Sequence, residues 1–413
     1  MSSVISYKYP AILPSGASGI RGNQERWNTT LPLNGSVFRS DQSQSVIFNF
    51  ASNSDYMRTV QSFFAAKLTP RSSNGAELVD AATRNTYQGA TRCISRMVVR
   101  FGGTVVEDNS YYSDAVGLHY SQLPNTRKEM LKRLEGFGNT SYFTGGGKKF
   151  AHPLFSSLWM TDQALPLPLV AAGGITVELF LAPAKEVFLT ENVAYYTLEN
   201  VSFKALYITP DPSYSISLRS AVAGGRSAFI HFIRLHYFPS AGNCSNTQLI
   251  QVPINNVSSI AGIETVMWSD AEYADQSKDK YLRFKSFGLQ DFKIENNSAS
   301  QPSQLTFKYE GGADPEVTLL GLMSANGNVY NVGTDIGLEQ DWENTSFRIG
   351  MNFTSSTELS GTGYSTLGSS SPFMTVTTTH NAPVPPTTRV LTIASVDTLV
   401  EFRGSEISVS EIF

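Results

Sequence analysis

What this sequence has least of is charge. Lys, Arg, Asp and Glu make up 16% of its 413 residues, against roughly a quarter in ordinary soluble domains. A surface so poor in charge fits one that neighbouring subunits cover. The net charge of −4 excludes a protein that coats nucleic acid phosphates over its whole surface, though not one with a local basic patch. Cysteine is nearly absent: Cys93 and Cys244 stand far apart, and neither belongs to a C-x-x-C pair. Two free thiols is the plain reading, with one structural disulfide as the alternative. No run approaches the roughly 18 apolar residues of a membrane span. The N-terminal MSSVISYKYPAILPSGASG lacks the basic-then-apolar order of a secretory signal. The expectation is a protein made inside the cell, in a reducing compartment.

Ser, Thr, Asn, Gly, Tyr and Phe fill the space that charge leaves, a mixture that favours strands and turns. The clearest strand is Ile175–Leu181, where Ile175, Val177, Leu179 and Leu181 fall on one side and Thr176, Glu178 and Phe180 on the other. It follows a Pro-rich entry, Leu165–Leu169, and a Gly173–Gly174 turn. Other strands are expected at Ser45–Phe50, Cys93–Phe101 (stopped by Gly102–Gly103 and resumed at Thr104), and Tyr195–Ile208. Phe229–Phe238, apolar on both faces, reads as an inner strand. Shorter strands are expected at Gln248–Ile254, Ile263–Trp268, Gly288–Glu295, Gln304–Tyr309, Val317–Leu322 and Phe347–Phe353. Four more follow, at Phe373–Thr379, Arg389–Ile393, Leu399–Arg403 and Ile407–Val409.

One helix is expected over Arg127–Leu134, capped by Asn125 or Thr126, with Gly136 just past its end. Its apolar stripe of Met130, Leu131 and Leu134 suits the outside of a sheet. Residues 1–30, rich in Pro and Gly without periodicity, read as an N-terminal arm. Pro210 and Pro212 mark a boundary near 209–225. Two domains of roughly 200 residues suit the length, and two blocks of short strands argue for two antiparallel sandwiches in tandem.

The search for chemistry nominates no catalytic, cofactor-binding or metal-ligating residue. His231 and His236 are an odd number apart and face opposite sides of one strand. His119, His152 and His380 have no partner in sequence. No G-x-S-x-G motif occurs. Gly145-Gly146-Gly147-Lys148 lacks the spacing of a phosphate loop, and Lys149 stands where Ser or Thr should hold magnesium. Asp270, Glu272 and Asp275 lack the alternation and central glycine of a calcium loop, and Lys278, Asp279 and Lys280 beside them read as a solvated loop. Arg127, Lys128, Lys132 and Arg133 read first as a solvated helix face, second as a partner contact. Trp159, Trp268 and Trp342 could build a sugar platform, but core packing accounts for them.

Four segments in order carry a family resemblance: Ile94–Tyr120, Leu165–Leu181, Tyr195–Ile208 and Phe347–Phe402. With these the chain resembles the double jelly-roll major capsid proteins of the adenovirus and tectivirus lineage, above all the short members from virophages and polinton-like viruses. The resemblance covers roughly residues 40–405. It implies an all-β fold of two tandem eight-stranded antiparallel jelly-roll sandwiches, with a few short helices in connecting loops. The first jelly roll would span 31–215 and the second 216–413. It also implies a structural protein, not an enzyme: a homotrimeric, pseudo-hexagonal capsomer tiling an icosahedral shell around double-stranded DNA, often with an internal membrane. Partners would be further copies of itself and minor capsid, cement and penton proteins, without sequence-specific nucleic acid binding. Shorter surface loops than in the longer relatives follow from the length. Two rivals share the composition, a carbohydrate-binding or fibre protein for host attachment and, more weakly, a β-sandwich hydrolase.

Overall fold

Alternating apolar and polar residues drive most of this chain into strands. A computed structural model describes residues 24–42, 45–80, 83–121, 123, 125–160, 164–170, 173–240, 247–255, 257, 260–271, 284–296, 303–308, 347–352, 373–385 and 387–411. Strand accounts for 53% of it, so the all-β expectation holds. The chain falls into two compact units. One comprises Met1–Tyr120, Thr126–Phe232 and Thr398–Ser410, the other Ser121–Asn125, Ile233–Asp397 and Glu411–Phe413.

Eight strands frame the first sandwich: β1 (Gln24–Thr30), β2 (Ser45–Phe50), β3 (Tyr56–Arg71), β4 (Ile94–Phe101), β5 (Thr104–Asn109), β6 (Lys148–His152), β7 (Ile175–Leu181) and β8 (Tyr195–Thr209). Two three-residue strands add to them, Val37–Arg39 on β8 and Ala164–Pro166 on β3. One sheet runs β1–β8–β3–β6 and the other β2–β7–β4–β5. All these pairings are antiparallel. First with second, eighth with seventh, third with fourth and sixth with fifth, each strand has its sequence neighbour in the opposite sheet. That is the wrapping of a jelly roll. Because direction flips at each strand, the β1–β2, β3–β4, β5–β6 and β7–β8 connections share one end.

Strand β7 buries the four side chains its alternation selects, and its burial alternates along its length. Gly174 makes its entry possible. Its φ is +68°, and a Cβ there would lie 2.5 Å from Asn49 Oδ1 and 2.7 Å from the Phe50 carbonyl. Between the sheets sits an aromatic cluster. Phe203 of β8 meets Phe48 and Phe50 of β2 at 5.5 and 4.8 Å between ring centres, and Trp159 at 6.3 Å. Phe64 of β3 adds contacts to Phe48 and Phe150.

The second sandwich repeats the plan with β9 (Ala228–Pro239), β10 (Leu249–Asn255), β11 (Ile260–Ser269), β12 (Leu289–Asn296), β13 (Ser303–Lys308), β14 (Arg348–Asn352), β15 (Phe373–His380) and β16 (Thr388–Arg403). Its sheets run β9–β16–β11–β14 and β10–β15–β12–β13, the same wrapping. Ile250, Val252 and Ile254 of β10, Phe292 of β12 and Met267 of β11 are buried in its core. Pro253 sits on β10 at a sheet edge, where a missing N–H costs no ladder bond. Beyond β16, strand β17 (Glu406–Glu411) pairs back on it. Within the first unit this hairpin lies on the β4–β5 turn and the helix after β8. Phe402 stacks on Phe101 at 6.1 Å, Thr104 Oγ1 donates to the Ile407 carbonyl, and the Gly404 N–H donates to the Val222 carbonyl.

Several expectations are corrected. The longest strand of the first unit, β3, was absent from the sequence reading. Its partner register jumps from Ala205–Ser62 to Leu206–Arg58, and the extra residues Thr59–Gln61 break the alternation. The segment 1–30 is not an arm throughout, since Gln24–Thr30 form β1 and pair with β8. Strand β9 ends its sheet instead of lying inside it, and Ile233–Phe238 are only half-buried. The two short strands expected at 389–403 are one, with Asp397 buried in it. Among the described residues three helices reach ten residues or more: α1 (Tyr112–Ser121), α2 (Asn125–Glu135) and α3 (Pro212–Ala223). Of the boundary prolines, Pro212 belongs to α3 and Pro210 precedes its cap. Pro212 takes its first position, and the Asp211 carboxylate accepts the Ser213 N–H at 2.8 Å. Helix α2 begins at Asn125, and Gly136 ends it with φ +77°. Of its expected stripe only Leu131 is buried. Met130 and Leu134 face solvent. The strand expected at Val317–Leu322 lies outside the described residues.

Truncating Phe203 to Ala should cost about 3–5 kcal/mol, because it empties the centre of the inter-sheet cluster. Chemical denaturation of the variant checks this. A loss under about 1 kcal/mol would show that the cluster does not hold the sheets together.

Candidate functional site: a buried polar cluster

Most residues singled out in the sequence are apart and already engaged. The His119 ring packs on Phe155 at 4.7 Å. His231 is buried and His236 half-buried. His380 is buried, with Nδ1 3.2 Å from the Phe287 carbonyl and Nε2 3.2 Å from Thr378 Oγ1. Among the described residues no group of three His, Cys, Asp or Glu could hold a metal ion. Cys93 is a buried free thiol, its ionisation pushed up by burial and by the nearby Glu135 charge; Cys244 lies outside the described residues. The phosphate-loop fragment is filled from within, since Glu77 Oε1 accepts the Gly147 N–H at 2.8 Å. Asp270 pairs with Arg389 at 2.6 Å, while Glu272, Asp275, Lys278, Asp279 and Lys280 lie outside the described residues. Trp159 is buried, its Nε1–H donating to Ser62 Oγ. Trp268 packs on Phe284, and Trp342 lies outside the described residues. No sugar platform forms from them among the described residues.

The structure assembles a cluster the sequence did not announce. It lies at the end of the first sandwich that carries the β3–β4, β5–β6 and β7–β8 connections. Glu135, the last residue of α2, and His152 of β6 are both fully buried, with His152 Nδ1 3.0 Å from Glu135 Oε2. Tyr120 of α1 donates to Glu135 Oε1 at 3.0 Å, and Thr91 donates to Glu135 Oε2. On the other side of the imidazole, Nε2 lies 2.6 Å from Tyr112 Oη, which accepts the Phe155 N–H at 2.9 Å. Both ring nitrogens of His152 are thereby engaged, Nδ1 by Glu135 and Nε2 by Tyr112. Burial pushes both tyrosine hydroxyls well above their ordinary range, with the Glu135 charge adding to it.

Beside this cluster, buried Arg92 pairs with Asp114 of α1 at 2.6 Å and with Glu186, in the β7–β8 connection, at 3.6 Å. Gln88 Nε2–H donates to the Ser113 carbonyl. Three connections are thereby stitched into one layer. Hydroxyl, imidazole and carboxylate stand in the order of a nucleophilic relay. The hydroxyl, however, is buried, hard to ionise and already accepting a backbone N–H. Nothing can reach it, and the relay is a rivet. Thr91, Tyr112, Tyr120, Glu135 and His152 spread over four elements, only the two tyrosines sharing one, α1. The sole sequence signal is an acid at the last residue of a helix that Gly136 stops.

No family model and no curated protein matches the sequence. Solved structures do match. The PBCV-1 virus capsid aligns at TM-score 0.64 and 13% identity over 96% of this chain and 99% of that one. The Faustovirus major capsid protein aligns at 0.65 and 9% over 96% and 93%. A chain of the Sputnik virophage aligns at 0.55 and 12% over 96% and 89%. The fold is a double jelly roll. At these identities the likeness is one of architecture, and in this double jelly roll the polar cluster acts as a fastener between loops.

Replacing His152 by Ala should cost about 3 kcal/mol or more, since it strips a donor from the buried Glu135 carboxylate. Tyr112→Phe should cost about 1–3 kcal/mol by orphaning the Phe155 N–H. Thermal and denaturant unfolding read both, and a neutral His152→Ala would show the cluster to be incidental. A pH effect arises in the second unit. Burial pushes the His236 imidazole down to about 4, Arg234 adding to it and Glu411, 3.5 Å away, opposing it in part. The unfolded imidazole takes its proton near 6.5, so the unfolded state binds more protons below that pH. Stability present above pH 6.5 should fall as pH drops toward 4, by up to about 3 kcal/mol. His236→Asn should flatten that slope in unfolding curves taken from pH 7 to 4. An unchanged slope would assign the loss to other groups.

Proposed function

We propose that this protein is a viral major capsid protein whose homotrimer forms a pseudo-hexagonal capsomer. Capsomers tile an icosahedral shell around a double-stranded DNA genome. The observation that carries this reading is the tandem repeat of one complete jelly roll, in an arrangement that matches capsid chains over nearly their whole length. Three copies bring six jelly rolls, and six equal walls give a hexagonal outline from a single gene product. In this reading the arm reaches at most to β1, the first jelly roll ends near 215, and the second runs on from 216. The sparse surface charge suits large lateral contacts between copies. Minor capsid, cement and penton proteins, and an internal membrane beneath the shell, are the further partners of such a capsomer. Assembly takes place in the host cell and the protein resides in the virion.

The purified protein should be a trimer, with a mass three times the 45.1 kDa of one chain by light scattering. Negative-stain images should show hexagonal outlines. A monodisperse monomer at all concentrations would overturn the proposal.

A further inference from the structure

We propose that the outward face of α2 is the docking site for residues 309–346 of a neighbouring copy. This rests on the trimeric reading above and names the contact that closes the ring. Helix α2 carries Arg127, Lys128, Lys132 and Arg133, with Arg127, Lys132 and Arg133 exposed. It touches its own fold through Leu131 and Glu135, while Met130 and Leu134 are 47% and 38% exposed. Residues 130 and 134 share a face, so two apolar side chains stand outward among four cations and one exposed anion, Glu129, which lies 3.4 Å from Lys132. A merely solvated face needs no such pair; a partner segment that is both acidic and apolar does.

The chain itself supplies that segment. Between Glu310 and Glu343 it has seven acidic residues and no Lys, Arg or His, interspersed with Val317, Leu319, Leu320, Leu322 and Met323. The net charge of the whole chain is −4, so without this segment the balance is positive. The topology places the two stretches correspondingly. Helix α2 lies in the β5–β6 connection of the first jelly roll, and residues 309–346 lie in the β13–β14 connection of the second. These are the same fifth-to-sixth connection of the repeated plan. Each copy thus carries one basic and one acidic connection. A closed ring needs two different, complementary patches on each copy, and opposite charge fixes their register.

The test co-assembles trimers from light and nitrogen-15-labelled chains and treats them with a carbodiimide, which joins amines to carboxylates. Crosslinked peptides joining Lys128 or Lys132 to residues 309–346 should pair a light half with a heavy half. Trimers yielding only same-isotope links, or none, would overturn the inference while leaving the capsomer reading intact. A wild-type monomer would overturn both. In parallel, Arg127→Glu with Arg133→Glu should weaken trimer association by about tenfold or more, at unchanged circular dichroism. Adding Glu339→Lys, Asp341→Lys and Glu343→Lys should restore it. Association unaffected by the first pair would equally overturn the inference.

Discussion

The first jelly roll depends on one contact, that of Phe203 with the rings across the sandwich. Phe203 belongs to β8, in the same sheet as the long strand β3, while Phe48 and Phe50 come from β2 in the facing sheet. Two stacked sheets share no backbone ladder to hold them face to face; the Tyr196 hydroxyl, on the Cys93 and Ala182 carbonyls, pins one end. Burial of apolar rings supplies the attraction, and edge-to-face geometry fixes the offset. Everything at the ends of the sandwich presumes that offset. The alternation of β7 fills the same interior, and Gly174 lets its entry pass close enough to Asn49 and Phe50 to keep it in register.

The loop end is held by a different kind of force. Long connections cannot bury enough apolar surface to fix themselves, and their polar groups must be satisfied wherever they are covered. The Glu135–His152 pair and its three hydroxyl partners meet that demand across α1, α2 and β6. Buried ion pairs and polar networks add little stability against an apolar core, but a half-satisfied one is costly. Such a network therefore selects one arrangement of the loops over others of similar energy.

Strand identity was legible where burial follows period two. Val46, Phe48 and Phe50, and the four inward residues of β7, could be read directly. The signal failed where backbone geometry interrupts the period, as at Thr59–Gln61 in β3, or where a residue type misleads. Asp397 falls between two strands expected apart and lies buried within β16. Pro212 looked like a stop and starts a helix whose cap is Asp211. The polar cluster was illegible for another reason. Its members meet only after three connections fold back to one end, so no local pattern marks them. The wrapping of two jelly rolls likewise came from resemblance in segment order, since strand periodicity says nothing about which strands become neighbours.

The last hairpin carries a consequence for the order of events during synthesis. Residues Thr398–Ser410 belong to the first unit, with Phe402 on Phe101 and Ile407 on Thr104. A ribosome emits the N-terminal jelly roll hundreds of residues before it emits these. Until then the β4–β5 turn and the end of α3 lack their cover, and the first unit waits incomplete while the second is made. Domains usually mature in the order they are translated. Here the earlier-made unit is finished by residues that follow the second jelly roll, so a chain cut short before them would leave both units defective.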